Sequence, residues 1–145
     1  MRKLRQKYPN KFAVAVEFND PLAHLIEAGS DFFLMPSRYE PSGLNQMYSL
    51  RYGTVPIVRK TGGLADTVQD YNFETGKGNG FVFEEYTGEA LLGAIRRALT
   101  LYQKKRPWKK LMTEIMQIDH SWASAARKYV QAYERVQARR AGMAA

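Results

Sequence analysis

Residues 32–53 read Phe32-Phe33-Leu34-Met35-Pro36-Ser37-Arg38-Tyr39-Glu40-Pro41-Ser42-Gly43-Leu44-Asn45-Gln46-Met47-Tyr48-Ser49-Leu50-Arg51-Tyr52-Gly53. The apolar run Phe32–Met35 predicts a short buried strand, and Pro36 halts it because proline donates no ladder hydrogen bond. A loop from Ser37 to Gly43 then leads into a helix through Tyr52, which Gly53 ends. The next apolar run, Val55-Pro56-Ile57-Val58, predicts another strand. Strand, loop, helix and strand in this order are the unit of a parallel sheet.

The same alternation extends both ways. Upstream, Phe12-Ala13-Val14-Ala15-Val16 reads as a strand. A helix follows it, with Asp20 as N-cap, Pro21 at the first helical position, an apolar face of Leu22, Leu25 and Ile26, and Gly29 as the closing residue. Downstream, Gly62-Gly63 precede a short helix around Leu64–Gln69. Residues 71–79 are polar and Gly-rich and read as a mobile loop, and Gly80–Phe83 is the last strand. The fold class is therefore α/β, a Rossmann-like doubly wound parallel sheet with helices on both faces, over residues 1–86. Residues 87–138 read as helices packed on the same lobe. Leu91, Ile95, Leu99 and Tyr102 mark one apolar face, Leu111, Ile115 and Ile118 a second, and Trp122, Ala126, Tyr129, Tyr133 and Val136 a third, with Ser121 as cap. Trp108 and Trp122 read as anchors of these helices, and residues 139–145 as a frayed tail.

Composition narrows the chemistry. One hundred and forty-five residues with 45% hydrophobic content make one ordinary domain or part of a larger one. The absence of cysteine excludes disulfides, thiolate catalysis and Cys-ligated zinc. No apolar run reaches the length of a membrane helix, and the basic start lacks the apolar core of a secretory signal. The net charge of +8 gathers in Arg2–Lys11, Lys104–Lys110 and Arg127–Arg140, which read as solvated helix faces. No aromatic-basic interleaving accompanies it, so nucleic acid is not an expected partner.

In an open parallel sheet, ligands sit beyond the carboxyl ends of the strands. Two loops there are unusual. In the first, Gly43 lets the backbone approach a ligand, and the free N–H groups of Leu44 and Asn45 open a helix whose start suits a phosphate. Glu40 stands beside whatever that phosphate carries, or else caps a turn. In the second, Lys60-Thr61-Gly62-Gly63-Leu64-Ala65-Asp66, the paired glycines allow positive φ and close approach. Asp66 reads as a cap or first-turn acid, and His24 as a structural histidine.

The run Ser37–Tyr48, followed by Arg51-Tyr52-Gly53-Thr54-Val55-Pro56 and Arg59–Val68, resembles the bacterial glycogen synthase and plant starch synthase family. Ala23–Asp31 and Asp119-His120-Ser121-Trp122 are similar to it as well. The resemblance implies a two-lobed (GT-B) retaining transferase that moves glucose from ADP-glucose to the 4-hydroxyl end of an α-1,4-glucan, with this chain as the later part of the donor lobe. It implies Glu40 as the catalytic group at the transferred glucose. Phe18, Ser42, Gly43, Leu44, Asn45, Thr61, Gly62 and Gly63 become donor-binding residues, with Phe18 either stacked on adenine or packed in the core. No metal or other cofactor is expected, since Asp-x-Asp is absent. The expected compartment is bacterial cytoplasm or plastid stroma. The family has Cys where this chain has Ser42, which a contact through the backbone tolerates. The family's Ser-Arg-x-x-x-Gln-Lys-Gly basic pair and its acceptor lobe are not found within these residues, so the chain by itself is expected to be inactive. The alternative reading is a non-catalytic nucleotide- or glucan-binding module.

With a strand order of 3-2-1-4-5-6, Phe12–Val16 would be strand 3 and Phe32–Met35 strand 4. The chain must then close the gap between them, leave Phe12–Val16 displaced, or complete the sheet by self-association.

Overall fold

The computed structural model describes residues 2–143. Three parallel strands, β1 (Phe32–Met35), β2 (Val55–Arg59) and β3 (Phe81–Phe83), form a sheet in the order β1-β2-β3. Phe32 pairs with Val55, and Ile57 with Phe81. β2 lies in the middle and is buried from Val55 to Val58, as a strand covered on both faces must be. Val55 and Ile57 join the larger core with Leu50, Phe81, Ala98, Trp108, Leu111 and Ile115. Val58 faces the other way and packs with Leu64 and Val68. Helices thus cover both faces, as the α/β reading expects.

Seven helices accompany the sheet among the described residues: α1 (Arg2–Lys7), α2 (Asp20–Ala28), α3 (Asn45–Tyr52), α4 (Gly62–Thr67), α5 (Gly88–Tyr102), α6 (Lys105–Ile115) and α7 (Trp122–Met143). α3 ends at Gly53 with φ of 80°, the left-handed conformation that glycine adopts without a Cβ penalty. α5 starts on Thr87, whose hydroxyl accepts from the Ala90 N–H at 3.2 Å. Such a cap is worth about 1 kcal/mol.

Several expectations need correction. Phe12–Val16 is not a strand: it lies outside the sheet, with Val16 exposed. Of the three ways to meet the gap, the chain takes the displaced one. The consequence reaches α2. Its expected apolar face is open, with Leu25 71% exposed and Ile26 also exposed, while Glu27 is buried instead. The partner that would cover those side chains is not supplied by Phe12–Val16. The α2 cap is Asn19, whose Oδ1 accepts from Leu22 N–H at 3.0 Å, so Asp20 sits inside the helix rather than capping it. Gly29 closes α2 with φ of −91°, not left-handed.

Downstream, α4 begins at Gly62 and ends at Thr67, so Asp66 lies in its last turn and is neither cap nor first-turn acid. α5 presents Ala94, Ala98 and Leu101 to the core. Leu91 and Ile95 flank that seam, and Leu99 and Tyr102 are exposed. Small alanines set the close approach of helix to sheet, which shifts the buried face from the one that large residues suggest. α6 buries Trp108, Leu111 and Ile115, and Ile118 packs beside them past the helix end. Trp108 is an anchor as expected, its ring centroid 5.0 Å from that of Phe32 in a tilted contact and 5.2 Å from that of Tyr102 edge-on. Trp122 is not, being 90% exposed. On α7, Tyr129, Tyr133 and Val136 are exposed too, so its apolar face is left uncovered among the described residues. Ser121 does cap α7, accepting from Ser124 N–H at 3.2 Å. The supposed tail is helical through Met143, and residues 144–145 lie outside the described residues. Residues 71–79 form a hydrogen-bonded turn: Asn72 Oδ1 accepts from the N–H groups of Glu74 and Thr75.

Candidate functional site

β1 and β2 run parallel, so the loops after Met35 and after Arg59 emerge at the same end of the sheet. They touch through backbone. The Gly63 N–H donates to the Glu40 carbonyl at 3.1 Å and to that of Pro41 at 3.2 Å. A Cβ on Gly62 (φ of 45°) would overlap the Glu40 carbonyl, and one on Gly63 would overlap the backbone of Ser42. The glycine pair therefore serves the packing of one loop on the other.

The first loop is pinned from below by Gln46, a fully buried side chain. Its Nε2 donates to the carbonyls of Ser42 and Gly43, each at 3.1 Å, and to Thr67 Oγ1 at 3.2 Å. Gly43 takes φ of 73°, and a Cβ there would strike the Gln46 amide. These restraints end at the start of α3, where the N-cap position is Leu44 and no side chain caps the helix. Among the described residues the N–H groups of Gly43, Leu44 and Asn45 meet no protein acceptor. The Asn45 side chain is directed elsewhere, with Nδ2 donating to Glu27 Oε1 at 2.8 Å. A rigid loop with three adjacent free N–H groups at a helix start is a ready anion site.

Basic residues frame the same end. Arg59 donates from Nη1 to the Arg38 carbonyl at 2.7 Å and from Nε to the Glu84 carbonyl at 3.0 Å, tying together the loops that follow all three strands. Lys60 Nζ meets Glu84 Oε1 at 2.6 Å. That contact raises the pKa of Lys60 and lowers that of Glu84, so both stay charged at neutral pH.

The structure brings Glu40, Ser42, Gly43, Leu44, Asn45, Thr61, Gly62 and Gly63 into one constellation. Glu40 is half-buried, and its carboxylate forms no ion pair among the described residues. Ser42 is exposed, and its carbonyl is the group that Gln46 holds. Thr61 occupies the α4 N-cap position without a side-chain cap bond. Phe18 stands apart: it is 100% exposed, packed neither in the core nor against the loops. His24 is structural, sharing a 3.1 Å hydrogen bond between Nδ1 and the Tyr52 hydroxyl. No three His, Asp or Glu side chains among the described residues converge as a metal site. Two participants escaped the sequence reading, Gln46 and Glu27. Gln46, three residues after Gly43, had a legible sign, a polar residue in the first helical turn able to reach back. Glu27 had none, because its burial follows from how α2 meets α3.

The sequence model of the family described as "Glycosyl transferases group 1" matches residues 1–113. The chain belongs to the group 1 glycosyl transferases. The glycogen synthase of Koribacter versatilis is 57% identical over 143 residues, which is 99% of this chain and 30% of that protein. That of Fervidobacterium nodosum is 53% identical over 138 residues, 95% of this chain and 28% of that protein. The similarity to glycogen and starch synthases expected from the motifs is thus found. Among solved structures, the catalytic domain of starch synthase IV from Arabidopsis thaliana, bound to ADP and acarbose, superimposes with a TM-score of 0.80 at 38% identity, over 92% of this chain and 28% of that one. Sucrose-phosphate synthase from Thermosynechococcus elongatus, at 24% identity and a TM-score of 0.65, shares the fold over 94% of this chain and 33% of its own. This group 1 glycosyl transferase chain spans 30% or less of the length of these glycogen synthases. No helix among its described residues is long and apolar enough to cross a membrane.

Proposed function

We propose that this chain is the donor-binding part of a retaining glucosyltransferase that moves glucose from ADP-glucose to the 4-hydroxyl end of an α-1,4-glucan. One observation carries the reading: the three unpaired N–H groups of Gly43, Leu44 and Asn45, held rigid at the α3 start with the Glu40 carboxylate three residues upstream. They would bind the diphosphate, whose negative charge grows as the glycosidic bond to the leaving group breaks. Donors fixed in advance where charge develops are the usual main source of rate enhancement. Glu40, with no cation on its carboxylate among the described residues, is free to stabilise the oxocarbenium-like sugar. The names of the relatives and the ADP held by the starch synthase structure support ADP-glucose as donor. Phe18, with its ring faces open, is the proposed adenine platform. The proposal needs no metal, since N–H dipoles and basic residues supply the positive field. Glucan contacts are assigned to parts of the longer relatives that this chain does not match. A further strand, from a longer chain or a second molecule, would pair at the open edge of β1. Such an enzyme would work in bacterial cytoplasm or plastid stroma.

The test is an amide NMR titration of the chain with ADP and ADP-glucose against GDP. Shifts centred on Gly43–Asn45 and Thr61–Gly63, with ADP preferred, are expected. Shifts confined to other surfaces, or none at saturating ADP, would overturn the reading.

A further inference from the structure

Glu27 is 3% exposed, and only half of its carboxylate is satisfied. Oε1 accepts from Asn45 Nδ2 at 2.8 Å, while Oε2 is buried with no hydrogen-bond partner among the described residues. Burying a carboxylate costs several kcal/mol unless it is paired and fully hydrogen-bonded. Burial accordingly raises the pKa of Glu27. An apolar residue here would serve stability better, so the carboxylate needs another explanation.

The explanation lies at its partner. Asn45 is the first residue of α3, one past the N-cap position, and its short amide is able to turn onto nearby backbone N–H groups. Here Glu27 draws that side chain away, and Leu44 at the N-cap position has nothing to offer in its place. The α3 start therefore stays uncapped and open. The Glu27 end of the link is itself fixed, because Thr54 Oγ1, at the foot of β2, donates to the Glu27 carbonyl at 2.6 Å and to that of Ser30 at 2.9 Å. A line of bonds thus runs from the base of the sheet through Glu27 to Asn45.

We infer that Glu27 is a positioning residue for the donor: by holding the Asn45 side chain it keeps the N–H groups of Gly43, Leu44 and Asn45 uncapped and fixed for a nucleoside diphosphate. This inference rests on the donor-site reading above. Glu27 touches no substrate in it and acts only through Asn45. What matters is an acceptor oxygen at this place, so glutamine should serve where alanine does not.

The experiment compares wild type with Glu27→Ala, Glu27→Gln and Asn45→Ala by amide NMR, without ligand and with ADP. Expected are displaced Gly43–Asn45 amides in ligand-free Glu27→Ala and ADP affinity weakened about tenfold, the scale of one lost charge-assisted hydrogen bond. Glu27→Gln should stay within about twofold of wild type, since its amide oxygen can still accept from Asn45 Nδ2 and hold that side chain in place. Wild-type affinity in Glu27→Ala, or equal weakening in both Glu27 variants, would overturn the inference. If Glu27→Ala does not fold, Asn45→Ala decides: it leaves the N–H groups uncapped but no longer fixed, so displaced ligand-free Gly43–Asn45 amides and weaker ADP binding are expected, and wild-type amides with wild-type affinity would overturn the inference. If wild type itself does not respond to ADP, the donor reading is lost. The ligand-free amides of Gly43–Asn45 then decide the tether alone: unmoved in the variant, they overturn it.

Discussion

Gly63 and Glu40 lie on loops that follow different strands, yet the Gly63 N–H donates to the Glu40 carbonyl at 3.1 Å. Around that bond the backbones are so close that any Cβ on Gly63 would overlap Ser42. The two loops therefore move as one body, and the carboxylate of the first is set in place by the second.

Gly63→Ala tests this coupling. The added methyl meets backbone and not a flexible side chain, so the loops must part. Overpacking of this kind costs about 1–3 kcal/mol. A lowered thermal midpoint together with loss of the ADP response at Gly43–Asn45 is expected. Unchanged melting and unchanged ADP binding would show that the loops are not coupled.

Gln46→Leu removes the pin with little change of volume. Thr67 Oγ1 keeps its bond to the Gly63 carbonyl at 2.7 Å, but Ser42 and Gly43 lose the donor they share. Losing a hydrogen bond of this kind costs about 0.5–1.5 kcal/mol. Urea titration should show a lower midpoint, and hydrogen exchange should quicken at Gly43–Asn45 before it does in β2. Equal protection in variant and wild type would remove Gln46 from the site.

Much of this was legible in the residues. β1, α3 and β2 followed from two apolar runs with Pro36 and Gly53 as stops, and the constellation of Glu40 with Gly43 and Gly62-Gly63 followed from the rule that places ligands at strand ends. Three of the misreadings share one cause. Phe12–Val16, the open face of α2 and Trp122 on α7 are apolar segments whose partners are not among the described residues, and apolar periodicity reports a wish for burial without naming what buries it. Glu27 was illegible for the opposite reason: its burial comes from the crossing of α2 and α3, which no local pattern encodes.

Glu27 also predicts a pH effect. Its folded pKa is raised above the ordinary 4.5 by burial, offset in part by the Asn45 hydrogen bond and by His24. The folded state thus holds this proton more tightly than the unfolded state does. The associated stability is fully present below pH 4.5 and is lost as pH rises through the raised folded pKa. Glu27→Gln abolishes that component, so the difference in urea midpoint between wild type and variant should change over this window and level off above it. A difference that stays flat from pH 4 to 8, a range of about four units chosen to span a raised carboxylate pKa, would show that Glu27 titrates normally.

The two tryptophans report on α7. Trp108 is buried beside Phe32, and Trp122 is 90% exposed. Acrylamide should quench two distinct populations of emission, and Trp122→Phe should abolish the accessible one. Two equally protected indoles in the wild-type chain would mean that α7 is covered in solution.

Glu40→Gln separates catalysis from binding. The carboxylate is half-buried and joins no ion pair among the described residues, so its neutral isostere should leave folding intact, within about 0.5 kcal/mol. The Glu40 carbonyl, which receives the Gly63 N–H, is untouched, and with it the loop that holds the diphosphate. ADP affinity should therefore match wild type. In a catalytically complete protein carrying this sequence, kcat should fall by about 10²–10³, the usual cost of one lost electrostatic contact to the transition state, with KM for the donor little changed. A loss confined to KM would make Glu40 a binding group, and full activity would reduce it to the turn residue that its sequence position alone also allowed.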